Sequence, residues 1–371
     1  MVVRVDDPLR VVDDEIDARE SGTLLRFLLP LVSLLPGPES VTLAGRETLV
    51  GRSNREPVES LRAAGLTVSG TGSEQTAPIE CYPGQSLKEQ PVPVACSTTS
   101  QLLSGWLITL AAVGGGTLRR TTELVSAPYV TMTEQVLAAA GVTVEHPRED
   151  EYRVEPGTSS ADFEYEVPGD FSSAAFLLVG AALSEGTVVL KGLNPEDPQA
   201  DRRIVEILKD LGASIEWSDS RAGESPDLVV EGPLRPGTFE LDASDCPDLV
   251  PVLAVLGAVA DGEAVIKNVP HLKNKESDRL GCTSQELRKA GYEVETTDNS
   301  ITVGERIRFP DKPVLLDAHD DHRLAMSFSV LGFVVGGVTV VGAECVSKSY
   351  PGFFEDVDAL GVERTVRDEE S

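Results

Sequence analysis

No apolar run in the 371 residues is long enough to cross a bilayer, because each is broken within about a dozen positions by Gly, Ser, Asp or Pro. The opening segment MVVRVDDPLRVVDDEIDARE lacks the basic head and apolar stretch of a secretory signal, so the chain is expected to be cytoplasmic, with no membrane partner. Cysteine is sparse and scattered: Cys81, Cys96, Cys246, Cys282 and Cys345 form no C-x-x-C pair, and their odd number fits neither a disulfide framework nor a zinc cluster. Reduced core thiols are expected. The four histidines contain no H-E-x-x-H, and their one local group, AHDDHR at 318–323, is too little for a metal site, so neither a metal nor an organic cofactor is expected. Lysine is scarcest relative to need: nine of the 32 cationic residues are Lys, against 61 acidic residues and a net charge of −29. Such a balance excludes nucleic acid as a partner, since phosphate backbones need a basic surface. It is the surface of a chain that stays hydrated in concentrated salt, where self-repulsion is screened.

What is present is a soluble composition, 41% apolar and 25% charged, in a chain long enough for more than one core. Self-similarity organises it. A polar start, an apolar run, a Gly-containing turn and a β-branched stretch recur five times, beginning at residues 19, 96, 169, 245 and 320. After each copy comes a second pattern: PVESLRAAGLTVSG, TEQVLAAAGVTVEH, IVEILKDLGASIEW, SQELRKAGYEVETT and FEDVDALGVERTV. Each reads as an amphipathic helix closed by Gly and followed by a strand. The expected fold class is therefore α/β, with repeated strand-helix-strand-helix-strand-strand units. The first helix of each unit, apolar almost all round, is expected to be buried and the second exposed. Five units are visible, so either the architecture has five or a sixth is to be expected upstream, and two clusters of units, hence two domains, are expected. The boundary falls in the polar, Gly- and Pro-punctuated segment 156–170, giving lobes of 1–165, incomplete, and 166–371, with three units.

Each apolar helix starts with residues suited to an N-terminus: Ser21 and Thr23, Ser97 to Ser100, Ser172 and Ser173, Asp245 to Asp248, and the Asp320–Asp321 pair. Gathered at one end, such starts offer N–H groups to anions. Cations recur at the same places despite the acidic composition: Arg26, Arg323 and Lys348, and Lys273, Lys275 and Arg279 within HLKNKESDRL. Together they point to a ligand with more than one anionic group, since Arg holds carboxylate or phosphate bidentately and Lys as a point charge. Carboxylates stand beside them. Asp248 among cations is expected to stay ionised and accept a proton, with Lys348 able to give one; Asp278 is expected to pair with Lys273 or Arg279.

Taken together, GDFSSAAF, KNKESDR, DDHRLAMSFSV, and SAPYVTMT with TSQ ahead of it resemble the 5-enolpyruvylshikimate-3-phosphate synthase family, the 3-phosphoshikimate 1-carboxyvinyltransferases, from about residue 19 to the C-terminus. The resemblance implies six βαβαββ units in two domains that close on the substrates, the inside-out α/β barrel of enolpyruvyl transferases, acting as a monomer without cofactor. It implies that Thr99, Ser100, Gln101, Ser126 and Tyr129 hold shikimate 3-phosphate in the first lobe, completed by Lys275 and Asp248. Phosphoenolpyruvate is implied to meet Gly22, Arg52, Arg279, Arg323 and Lys348, mostly in the second lobe. Asp248 then takes the proton of the attacking 5-hydroxyl, while Glu276 and Lys348 serve proton transfer at the methylene carbon and the departing phosphate.

Three positions depart from the family pattern. Its N-terminal Lys-Ser-x-x-x-x-x-Arg segment has no counterpart in these residues, which coincides with the sixth unit. The usual Asn ahead of Gly-Thr is replaced within Arg19-Glu20-Ser21-Gly22-Thr23, and the usual Arg-Pro pair reads Arg52-Ser53. Two other readings stay open: a non-catalytic relative that binds phosphorylated ligands, and the UDP-N-acetylglucosamine enolpyruvyl transferase, against which stands the absence of Cys from 41–55.

The charge balance makes a prediction. Raising KCl from about 0.1 to 2 M should raise the melting temperature, because the Debye length falls to about 3 Å near molar salt and carboxylate repulsion is screened. A melting temperature flat over that range would contradict it.

Overall fold

The computed structural model describes residues 8–88, 90–156, 164–219, 225–269, 272, 275–308 and 312–367. The chain divides into two compact units, Met1–Glu166 and Val167–Ser371.

The first unit contains two runs of the same pattern. One comprises β1 (Glu15–Asp17), α1 (Gly22–Leu34), β2 (Val41–Ala44), α2 (Arg55–Ala63), β3 (Val68–Thr71) and β4 (Thr76–Cys81). The other comprises β5 (Val92–Val94), α3 (Gln101–Val113), β6 (Gly116–Arg120), α4 (Ala127–Ala139), β7 (Val144–Arg148) and β8 (Glu151–Val154). Their sheets have matching strand orders, β1-β2-β4-β3 and β5-β6-β8-β7. In each, the first two strands are parallel across the first helix and the remaining pairs antiparallel; α1 is only half buried, with Thr23 and Leu24 exposed, against the expectation of a helix with no wet face. Alternation supplies the inner faces: along β4, Ala77, Ile79 and Cys81 point inward while Pro78 and Glu80 are exposed.

The second unit holds α5 (Phe171–Leu183), β9 (Gly186–Leu190), α6 (Arg203–Asp210), β10 (Ser214–Trp217) and β11 (Leu228–Gly232), with sheet order β10-β11-β9. It continues with β12 (Gly237–Asp242), α7 (Val250–Ala258), β13 (Asp261–Lys267), α8 (Arg279–Lys289), β14 (Tyr292–Thr296) and β15 (Ser300–Arg306), in the order β12-β13-β15-β14. Last come β16 (Val314–Asp317), α9 (His322–Val335), β17 (Val338–Val341) and α10 (Phe353–Ala359), with β16 and β17 parallel.

Hydropathy explains the layering. Every residue of α7 is buried, and α5 and α9 are nearly so; these three helices pack on one another, as α1 and α3 do in the first unit. A helix with no wet face can be stable only inside, so the sheets and the second helices enclose it. Each second helix ends at a glycine with positive φ, namely Gly65, Gly141, Gly212, Gly291 and Gly361, which closes the last turn without a Cβ clash.

Two expectations are corrected. Among the described residues the run headed by α5 has no leading strand, and VERTV after Gly361 forms none. There Arg364 folds back on its own helix, its Nε and Nη2 each 2.7 Å from the Asp358 carboxylate and its guanidinium 4.9 Å from the Phe354 ring centroid. That local pairing replaces strand pairing.

Close approach of α1 and α3 depends on Gly105, where a Cβ would lie 2.8 Å from Phe27 Cα and 3.0 Å from the Arg26 carbonyl oxygen. Backbone cannot yield as a flexible side chain does. Gly105→Ala should therefore destabilise the first unit by about 1–3 kcal/mol in urea titration. Gly180→Ala in α5, which meets nothing nearer than Val330 methyls at 3.9 Å, should be neutral or stabilising by up to about 1 kcal/mol. Equal effects would refute this account of helix approach.

Candidate active site

In the second unit, three helix starts bring charge together. Arg279 opens α8 behind Asp278, whose Oδ1 caps the helix by accepting the Gly281 N–H at 3.0 Å. The expected pairing of Asp278 with Arg279 is thus corrected, since Arg279 turns to other acids, while a pairing with Lys273 falls outside the described residues. The Arg279 side chain is 2% exposed, and all its nitrogens meet carboxylates. Nε donates to Asp321 Oδ2 at 2.7 Å, Nη1 to Asp248 Oδ1 at 2.6 Å and Nη2 to Glu276 Oε2 at 2.5 Å. Asp321 is also the N-cap of α9, accepting the Arg323 N–H at 3.0 Å, and receives Ser277 Oγ at 3.0 Å.

Asp248 stands in the short helical turn Pro247–Leu249 ahead of α7. Besides Arg279, it has Lys275 Nζ at 3.4 Å and Arg323 Nη2 at 3.3 Å. Burial raises the pKa of Asp248, but Arg323, Lys275 and Arg279 overcome this and hold it well below the usual carboxylate range. It is ionised at neutral pH. Asp321, Glu276 and Asp248 in turn raise Arg279 above its ordinary value against burial. Lys348, closing the short helical segment Ala343–Lys348, donates to Asp320 Oδ2 at 2.6 Å and to the Asp320 carbonyl at 3.2 Å.

In the first unit, Gln101 at the start of α3 links to α1: its Nε2 donates to Thr23 Oγ at 2.8 Å and its Oε1 accepts from Arg26 Nη1 at 2.7 Å. Arg26 also donates to Asn54 Oδ1 at 3.0 Å and the Ser53 carbonyl at 3.1 Å, so its nitrogens all rest on neutral oxygens. Burial and the nearby Arg52 push Arg26 down to about 10, still protonated at neutral pH. A Cβ on Gly22 would lie 3.4 Å from Arg52 Nη1 and 3.6 Å from Arg26 Nη1, so glycine leaves the helix start open beside two guanidinium groups. Thr99 Oγ accepts the Gln101 N–H at 3.2 Å, and Ser100, the N-cap of α3, is buried. Ser126, with φ +54°, begins α4, and its carbonyl accepts the Tyr129 N–H at 3.1 Å. The loop before it is tied to the approach of α3 by Val125 N–H to the Cys96 carbonyl, 3.3 Å.

The second unit thus gathers Asp248, Lys275, Glu276, Arg279 and Arg323, with Lys348 on Asp320 one residue from Asp321. The first gathers Gly22, Arg52 and Gln101 with Arg26. Lys273 lies outside the described residues. Helix caps also differ from expectation: Asp170, not Ser172 or Ser173, caps α5. Three contributors are given no role by the sequence. Asp201, fully buried, receives Ser172 Oγ, and burial together with the Asp248 charge pushes it up to about 6. His322, buried beside Arg323, is pushed down to about 4 and is neutral. Asn54, completely buried, orients Arg26. Each is a polar residue whose burial only tertiary packing determines.

The sequence profile of EPSP synthase (3-phosphoshikimate 1-carboxyvinyltransferase) matches residues 5–357. The 3-phosphoshikimate 1-carboxyvinyltransferase of Methanosarcina acetivorans is 37% identical over 358 residues, covering 95% of this chain and 80% of that protein. Its counterpart in Methanocella arvoryzae is 36% identical over 355 residues, with 95% and 81% covered. Among solved structures, an EPSP synthase from Acinetobacter baumannii superposes with a TM-score of 0.72 at 27% identity, covering 94% of this chain and 79% of that one. With the KESDR and DDHR segments meeting around one buried arginine, and with a profile spanning almost the whole sequence, the chain belongs to the EPSP synthase (3-phosphoshikimate 1-carboxyvinyltransferase) family.

Proposed function

We propose that the chain catalyses the family's reaction, transfer of the enolpyruvyl group of phosphoenolpyruvate to the 5-hydroxyl of shikimate 3-phosphate with release of phosphate, a step of aromatic amino-acid biosynthesis. The hydroxyl oxygen adds to C2 of phosphoenolpyruvate while C3 gains a proton; the C3 proton and the phosphate then leave, restoring the double bond. Such chemistry needs a base that stays ionised, an acid for carbon and fixed positive charge for the phosphate. The observation that carries the reading is Asp248, held ionised by Arg323, Lys275 and Arg279. It is the base for the attacking hydroxyl. Arg323 and Lys348 supply the charge for phosphoenolpyruvate, joined by Arg279 once the ligand replaces one of the carboxylates at its nitrogens, and Glu276 and Lys348 exchange the proton at C3.

In the first unit, Thr99, Ser100, Gln101, Ser126 and Tyr129 offer hydroxyl and amide groups of the kind that recognises a phosphorylated hydroxy acid. Arg52 and Gly22 offer charge and an open helix start to an anionic group. Lys275 adds a cation beside Asp248.

Phosphate release in 2 M KCl tests the proposal. The chain should release phosphate only when both ligands are present, and Asp248→Asn and Lys348→Met should each lower turnover by at least about a hundredfold, the usual scale for a positioned acid or base. Binding of phosphoenolpyruvate by calorimetry should fall less than turnover in Asp248→Asn. Release that needs only one ligand, or variants as active as the parent, would overturn it.

A further inference from the structure

The turn between β16 and α9 is held from both ends in a conformation it would not adopt unaided. His319 and Asp320 have φ of +50° and +56°, two successive non-glycine residues in the left-handed region. Such a pair persists only where surroundings over-determine it. On one side, the fully buried Glu286 of α8 accepts the Asp317 N–H at 3.1 Å and meets His319 Nε2 at 2.8 Å, while Lys289 Nζ lies 2.8 Å from each of its oxygens. On the other, Asp321 is fixed by Arg279 and by capping α9. Between these anchors Asp320 is aimed at Lys348, giving it both a carboxylate oxygen and the main-chain carbonyl. The side chain of Lys348 is 19% exposed and that of Asp320 53%, so the pair forms at the surface of the charge cluster, with the acid on the wet side.

From this geometry we propose that Asp320 is a built-in counter-anion for Lys348, which an anionic group of phosphoenolpyruvate must displace, and that it thereby sets the affinity of the site for that ligand. The inference rests on the reading that Lys348 meets phosphoenolpyruvate. The anchored turn keeps the ammonium oriented when the site is empty and gives it up to a ligand of higher charge. Because Asp320 is half exposed, its hold weakens in salt. A chain working in concentrated salt therefore meets less internal competition there than in dilute buffer.

Asp320→Asn is the test, since Asn tolerates positive φ and keeps the turn; Asp320→Gly, equally at home there, is the second variant. In about 0.5 M KCl, both should lower the KM for phosphoenolpyruvate by about two- to fivefold, the scale of one exposed ion pair, with the change falling mainly on KM rather than kcat. The ratio of parent to variant KM should shrink toward one as KCl is raised to about 3 M. A KM that rises or stays the same in both variants, while Lys348→Met still loses affinity, overturns the role of Asp320 alone. A Lys348→Met chain with parental KM and turnover overturns the assignment of Lys348 as well.

Discussion

A guanidinium taken almost wholly out of water is tolerable only if carboxylates replace the water around it, and the second unit is built on that condition at Arg279. Asp248, Glu276 and Asp321 come from three separate stretches of chain: the turn before α7, the loop before α8 and the cap of α9. Removing the arginine would leave acids facing one another with much of their compensation gone. Holding it fixes the starts of α7, α8 and α9 relative to each other, so one ion cluster both ties the unit together and places Asp248 among Lys275, Arg279 and Arg323.

The first unit solves a different problem with different means. Arg26 has neutral oxygens rather than carboxylates at its nitrogens, and burial and Arg52 lower its pKa to about 10. The nitrogens of Arg26 thus rest on neutral acceptors even in a chain with 61 acidic residues to 32 basic ones. Acid is kept off these donors by Asn54 and Gln101, which accept hydrogen bonds without cancelling the charge. Glu56, whose charge acts against the lowering of Arg26, is itself engaged by Ser97 Oγ at 2.6 Å and the Thr98 N–H at 3.2 Å.

Much of this is legible in the sequence because it is periodic. Helices without a wet face must be buried, and glycines at 65, 141, 212, 291 and 361 mark the ends of the second helices wherever they pack. The crowding of cations and acids in KNKESDR and DDHR already indicates a charged site. Which acid does what is not legible: Asp278 and Asp321 look alike in sequence, yet one caps α8 and the other caps α9 while bridging to Arg279. Asp201 is silent because its burial depends on where a three-residue helical turn lands, and the end of the chain misleads because Arg364 finds Asp358 and Phe354 instead of a strand partner. Local pattern specifies elements; the pairing of charges is decided only once those elements pack.

The dependence of the second unit on Arg279 is open to direct measurement by native-state amide hydrogen exchange in α9 of the Arg279→Met chain at high KCl. Breaking a buried ion cluster by removing one partner costs about 3–5 kcal/mol, so the slowest amides of α9 should lose protection equivalent to that amount. Protection within about 1 kcal/mol of the parent would show that the acids around Arg279 find compensation without it, and would contradict the account.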